Sequence, residues 1–269
     1  MKKVIIGVLL VVVVAGAFSV FYWREPITDT LQKSYTSIQE FVLGKINKKD
    51  SESKVEAPET QTSGETEVVE PDEEKPVIDP NDPFLILVNK EVGVLDGNYV
   101  PQDLSIPNVA FSTSATERKY MVTEAAVALE ELFEKANTDG IKLHAQSGYR
   151  SYETQEAIHA SYINSVGEVE ASTFSAKPGQ SEHQTGLAMD VTSESVGNLL
   201  VPEFGETAEG KWLAEHAAEF GFIVRYQLGK EDITGYMYEP WHIRYVGVEH
   251  AMYMKEHDLT LEEYLGVVN

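Results

Sequence analysis

The sequence predicts an α+β fold, a small and mainly antiparallel sheet with flanking helices. Short apolar or alternating runs at 84–89, 141–147, 186–191, 221–226 and 241–246 have the length and pattern of strands. Amphipathic stripes at 117–137, 151–165, 207–220, 247–256 and 260–266 have the period of helices. The two kinds of element do not alternate regularly, as a parallel sheet with crossover helices would require. No internal repeat is present.

These elements follow a long leader. Lys2 and Lys3 precede an uncharged run from Val4 to Trp23. Twenty apolar residues make ~30 Å of helix, enough to cross a bilayer. The positive end stays in the cytoplasm, which places the rest of the chain outside the cell as a single-pass membrane protein. The alternative is secretion after cleavage near Ala17, since Ala15-Gly16-Ala17 has the small-x-small form of a signal-peptide site. Residues 25–50, with Ile27, Leu31, Tyr35, Ile38, Phe41 and Val42, read as a juxtamembrane segment. Residues 51–82 hold eleven Asp and Glu against two Lys, with four Pro, and read as an acidic disordered linker. The folded domain is expected at 83–269.

Within it, Phe84–Asn89 is expected as a buried strand. Met121, Ala125, Ala128, Leu129, Leu132 and Phe133 form the apolar face of a helix over 117–137, stopped at Asp139-Gly140. Ile141–Ser147 alternates as a half-buried strand. Ser151 caps a helix reaching about Ser165, and 167–180 is expected as a loop. Strands at 186–191, 221–226 and 241–246 follow, with helices at 207–220, 247–256 and 260–266. Thr260 and Glu263 form a capping box on the last helix.

The formal charge of −23 excludes nucleic acid as a partner, because phosphate binding needs a basic surface. The lack of cysteine excludes disulfides, thiolate ligands and a Cys nucleophile. Of the seven His, His216, His250 and His257 lie on amphipathic helices, and His159 lies in a helix without an acidic partner pattern. His144 sits on the strand leading to Ser147-Gly148-Tyr149-Arg150, open to core packing or to a supporting contact. His183 and Asp190 read differently. If the chain turns at Gly186 and enters a strand, both side chains converge. Pro240 blocks a helix through Glu239-Pro240-Trp241-His242, so that stretch reads as a loop entering a strand and aims Glu239 and His242 at one cleft. Two His and one Asp can hold zinc and leave a fourth position for water. Glu239 can serve as the base for that water.

Ser-Gly-Tyr-Arg-Ser at 147–151, Ser-Glu-His-Gln-Thr-Gly-Leu-Ala-x-Asp at 181–190 and Glu-Pro-Trp-His at 239–242 resemble the VanY-type D-alanyl-D-alanine carboxypeptidases. These are zinc metallopeptidases grouped with the related L,D-carboxypeptidases of Gram-positive bacteria. The resemblance covers roughly Leu87 to Leu265. It implies the small zinc fold shared with Hedgehog-type domains and one Zn²⁺ per chain on His183, Asp190 and His242. It implies Glu239 as catalytic base, with Arg150, Ser181 and Gln155 at the substrate. It also implies peptidoglycan stem peptide as the partner, with loss of a terminal D-alanine from a D,D- or an L,D-linked end. Arg150 can bind either the oxyanion or the substrate carboxylate. The competing class is a non-catalytic zinc module that binds cell-wall peptide or a protein, for which Glu239 would be superfluous. A cut inside a cross-link would instead need a groove open at both ends.

Overall fold

The structure is a computed structural model that describes residues 74–267. The expected membrane span at 4–23, the juxtamembrane segment and the linker as far as residue 73 lie outside the described residues. Among the described residues no helix is long and apolar enough to cross a membrane.

In chain order the regular elements are β1 (Leu104–Ser105), β2 (Met121–Val122), α1 (Thr123–Thr138), β3 (His144–Ser147), α2 (Tyr152–Val166) and α3 (Glu168–Phe174). They continue as β4 (Ala188–Thr192), α4 (Ala208–His216), β5 (Phe222–Tyr226), the single turn α5 (Glu231–Thr234), β6 (Glu239–Tyr245), α6 (Val248–Glu256) and α7 (Leu261–Leu265). A four-stranded antiparallel sheet, ordered β3-β4-β6-β5, forms the centre, and β1 pairs with β2 apart from it. The α+β class with a mainly antiparallel sheet is therefore observed.

The sheet has two unlike faces because side chains alternate along a strand. Met189 and Val191 of β4 point to the main core, as do Trp241, Ile243 and Tyr245 of β6 and Phe222 of β5. Helix α1 covers that face with Ala125, Leu129, Leu132, Phe133 and Ala136, spaced at one helical stripe. The opposite face carries Asp190, His242, Arg244 and Arg225, and it is buried too. Ile223 joins a smaller cluster there with Val246, Ala251, Met254, Leu261 and Tyr264. Burying charge is costly unless the charges are paired, so this second face has to be a satisfied polar layer.

Caps set several boundaries. Ser151 Oγ accepts from Thr154 N at 3.2 Å and starts α2. Thr260 and Glu263 make the expected reciprocal box on α7, at 3.1 and 2.8 Å. Gly140 stands at φ 80° just past α1, where the left-handed region favours glycine.

Six expectations are corrected. Phe84–Asn89 is not a strand. Pro83 opens a short 3-10 turn, Pro83–Leu85, which Asp82 caps. The carbonyls of Phe84 and Ile86 then accept from Arg244 Nη2, both at 2.8 Å, so a guanidinium stands where a neighbouring strand would be. The helix expected from 117 starts at Thr123, because Met121–Val122 is drawn into β2 by pairing with β1. The 167–180 loop contains α3, whose first turn carries Glu168 and Glu170 as the helix dipole favours. The 207–220 helix breaks into α4 and a 3-10 turn, Ala217–Phe220. Strand β6 also begins earlier than expected. Pro240 sits inside it, at the register shift between β5 and β6, where a missing N–H is tolerated. The last part of the stretch assigned to the linker joins the fold. Lys75 Nζ donates to Tyr264 O at 2.6 Å, and Ile78 packs on the smaller cluster.

Candidate active site

Adjacent strands bring two of the expected ligands together. Asp190 and His242 are direct partners in the β4–β6 register, and directly opposed Cβ atoms stand ~4.5–5.5 Å apart. His183 arrives from outside the sheet. It sits in a 3-10 turn, Glu182–Thr185, closed by Gly186 at φ 70°. A Cβ at Gly186 would lie 2.9 Å from Leu104 Cδ2, a side-chain end that can yield, so it is the left-handed backbone that favours glycine there. The turn folds His183 back over β4, as the convergence on Gly186 required.

The three ligand atoms of His183, Asp190 and His242 lie within 4.8 Å of one another, and all three residues are buried. His183 Nε2 is 3.5 Å from Asp190 Oδ2, and His242 Nδ1 is 3.1 Å from Asp190 Oδ1. The second distance is short, yet Asp190 Oδ1 has no hydrogen-bond partner, because the two atoms are close without being aligned. Each imidazole is occupied on its far side. His183 Nδ1 faces Gly148 O at 2.8 Å, which leaves Nε2 turned inward. His242 Nε2 faces Glu182 Oε2 at 3.4 Å, which leaves Nδ1 turned inward. Two imidazole nitrogens, one carboxylate oxygen and an orphaned buried acceptor at their centre make a donor set that fits zinc.

Glu239 begins β6 beside them, its Oε2 3.9 Å from His242 Nδ1. Burial, reinforced by the Asp190 carboxylate, pushes its pKa up to about 8 against the pull of His242, Lys90 and Arg150. Burial and the Arg150 charge push His183 down to about 3. Burial would also lower His242, but its contacts with Asp190 and Glu182 outweigh this and raise it to about 9.

Arg150 lies near these residues, its backbone N–H donating to His183 O at 3.1 Å. Its Nη1 donates to Gln155 Oε1 at 2.7 Å and its Nη2 to Ser147 Oγ at 3.1 Å, while the enclosed Nε has no partner. Gln155 is itself fixed by Nε2 donating to Ala176 O at 2.6 Å. Ser181 is buried at the mouth of the 3-10 turn and does not cap it. The structure thus brings His183, Asp190, His242 and Glu239 together, with Arg150 bonded to the His183 backbone, Gln155 held by Arg150, and Ser181 two residues before His183. Of the aromatics, Trp241 belongs to the main core, whereas the Tyr226 ring lies 4.9 Å from that of His242 and stacks on Tyr236 at 4.4 Å. His144 is far from this point in role. Its Nδ1 pairs with Asn198 Oδ1 at 2.9 Å.

Sequence reasoning missed the layer behind the ligands. Glu182 accepts from Arg225 Nε at 2.8 Å and Arg244 Nη1 at 2.7 Å. Arg225 also forks onto Glu262 at 2.8 and 2.6 Å. The signal was available. Arg225 and Arg244 lie among apolar residues within two expected strands, and a guanidinium buried there demands a carboxylate.

A family profile described as VanY, D-alanyl-D-alanine carboxypeptidase, matches residues 118–248. The chain is 50% identical over 186 residues to the putative carboxypeptidase YodJ of Bacillus subtilis, a match spanning 69% of this chain and 68% of that protein. It is 35% identical over 227 residues to a D-alanyl-D-alanine carboxypeptidase of Enterococcus faecalis, spanning 78% of each. The chain belongs to the VanY carboxypeptidase family. Among solved structures, the LdcB LD-carboxypeptidase is 49% identical with a TM-score of 0.65, over 70% of this chain and 89% of that one. The D,D-pentapeptidase VanY of a VanB-type vancomycin-resistance cassette, solved as a variant in complex with Zn(II), is 35% identical with a TM-score of 0.56, over 68% and 99%. Membership of the VanY family makes the chain a carboxypeptidase and sets aside the non-catalytic alternative.

Proposed function

We propose that this chain is a zinc-dependent carboxypeptidase that removes the C-terminal D-alanine from peptidoglycan stem peptides. The observation that carries the reading is the convergence of His183, Asp190 and His242 on one buried point, with Glu239 beside His242 and the backbone of Arg150 bonded to that of His183. Zinc held by those three residues supplies Lewis-acid chemistry at the scissile carbonyl.

The chain's own residues supply the rest. Glu239 takes the proton of the attacking water on a carboxylate oxygen and returns it to the departing amine. Arg150, locked by Ser147 and Gln155, presents a preorganised guanidinium to an anionic oxygen of the substrate. Locking matters because a donor that need not reorganise is worth more to the transition state than a mobile one. Tyr226 and Tyr236 pack beside His242 and narrow its surroundings. The higher identity to the LD-carboxypeptidase, 49% against 35% for the D,D-pentapeptidase, favours tetrapeptide over pentapeptide as substrate.

Residues 4–23 are proposed to hold the chain in the cytoplasmic membrane with the catalytic domain on the outer side, where peptidoglycan lies; release after cleavage near Ala17 is the alternative. Fractionation with an antibody to the domain separates these two outcomes.

The activity is tested by mass spectrometry of tetrapeptide and pentapeptide muropeptides incubated with the protein, with and without chelator. Chelator-sensitive loss of one D-alanine from the tetrapeptide is expected. Loss from the pentapeptide alone would make the enzyme D,D-specific, and no chelator-sensitive loss from either would sink the reading.

A further inference from the structure

Behind the proposed ligands lies a closed set of charges that the proposed reaction does not use. Glu182, Glu262, Arg225 and Arg244 are each at most 1% exposed. Two carboxylates face two guanidiniums, so the set is neutral before any histidine is counted. Its contacts reach far along the chain. Arg244 Nη2 holds the carbonyls of Phe84 and Ile86, and Glu262 of α7 accepts from Asn89 Nδ2 at 3.1 Å. Arg225 joins Glu262 to Glu182. Glu182 is where the set touches the metal pocket. One oxygen, Oε1, takes both guanidiniums, and the other, Oε2, faces His242 Nε2 at 3.4 Å.

We infer that Glu182 is a positioning residue for the metal ligand His242, and that the Arg225–Glu262–Arg244 set exists to fix Glu182. This rests on the reading of the site as a zinc centre. A carboxylate behind an imidazole sets which nitrogen keeps the proton and raises the donor strength of the other. Here it assigns the proton to Nε2 and leaves Nδ1 for the cation. His183 has only the Gly148 carbonyl behind it, and presents Nε2. The two histidines are thus held in opposite tautomers by unlike partners. The division of labour between the two oxygens of Glu182 also has a reason. With Oε1 saturated by Arg225 and Arg244, rotation of the carboxylate away from His242 would break two charge-assisted bonds.

The test uses the full chain, with zinc affinity measured by chelator competition for wild type, Glu182→Gln and Glu262→Gln. Both substitutions leave a guanidinium short of negative charge, but only Glu182 touches a ligand. Glu182→Gln is expected to weaken zinc binding by about 10–100-fold. Glu262→Gln is expected to lower the melting temperature and to weaken zinc binding less than Glu182→Gln does, because Glu182 keeps Arg225, Arg244 and its own contact with His242. Equal losses in the two variants, or none in Glu182→Gln, would overturn the inference. A wild-type chain that takes up no zinc would overturn the proposed function itself, and is read before either variant. If Glu182→Gln does not fold, heteronuclear NMR of zinc-loaded wild type decides. The His242 Nε2 proton should be present and slow to exchange. Its absence, or exchange as fast as that of an exposed imidazole, would overturn the inference.

Discussion

Gly148→Ala adds one methyl group at a position with no room for it. The new Cβ would stand 2.4 Å from Tyr120 O, 2.9 Å from Met189 Cε and 3.2 Å from Arg118 O. Met189 Cε is the end of a flexible side chain and can yield. The two carbonyls cannot yield alone, because Tyr120 O accepts from Tyr149 N at 2.7 Å and Arg118 O from Gly148 N at 2.6 Å. Gly148 has no left-handed backbone to protect, so the effect is steric alone. Relieving the contact needs about 1 Å of backbone movement, and overpacking of this kind costs about 1–3 kcal/mol. For a domain of this size each kcal/mol moves the melting temperature by about 2–4 °C, so a fall of about 2–12 °C is expected. The same movement displaces the carbonyl that fixes His183 Nδ1 at 2.8 Å. A misplacement of about 1 Å at a reacting centre can cost ~10²-fold in rate. Thermal melts with and without chelator, chelator competition for zinc and hydrolysis of the tetrapeptide read the three effects. An alanine variant that melts, binds zinc and turns over like wild type would refute the steric reasoning.

Three further outcomes are expected. Glu239→Gln keeps the size of the side chain but removes the proton acceptor, so turnover should fall by about 10²–10⁴-fold with zinc retained; lost zinc, or preserved turnover, would remove Glu239 from the role of base. Zinc uptake should release protons. With His242 raised to about 9 and Glu239 to about 8, both hold protons at neutral pH before the cation arrives. Raising the pH removes the competing proton, so apparent affinity should climb by about tenfold per proton per pH unit and level off above those values. Calorimetry in buffers of different ionisation enthalpy counts the protons, and a count near zero at pH 7 would contradict these assignments. Arg225→Met should destabilise the fold by about 3–5 kcal/mol, because Glu182 and Glu262 lose a fully buried partner. Denaturant unfolding measures this, and a loss below about 1 kcal/mol would mean that the charges are reached by water.

The site was more legible than its surroundings. His183, Asp190, His242 and Glu239 lie in short motifs whose local turn chemistry, Gly186 and Pro240, already dictates where the chain bends. The structure places those four side chains at one point. The strand at 141–147 was legible because alternation reports one buried face, and those at 221–226 and 241–246 because short β-branched and aromatic runs have strand length. Phe84–Asn89 was not, because its apolar run looks the same whether its carbonyls meet a strand or a guanidinium. Only the distant Arg244 decides between them. Glu182 was hidden for a related reason. A charged residue beside a ligand reads as a solvated turn until its two arginine partners, 43 and 62 residues away, are known to be buried with it. Helix α3 was missed because seven polar-rich residues carry too little periodicity to stand out.

The alternation of β4 and β6 has a consequence for how this family can vary in length. Asp190 and His242 lie between core residues on the same strands, Met189 and Val191 on one and Trp241 and Ile243 on the other. Insertion or deletion of a single residue in either strand would turn methionine, valine or isoleucine into the pocket and send the ligands into the packed core. Hydrophobic cohesion and ligand geometry would fail in the same step. Length changes are therefore expected in the connecting segments, outside both strands. A library of single-residue insertions scored for folded yield should show this as two silent gaps, one across each of β4 and β6, with survivors clustered at their borders.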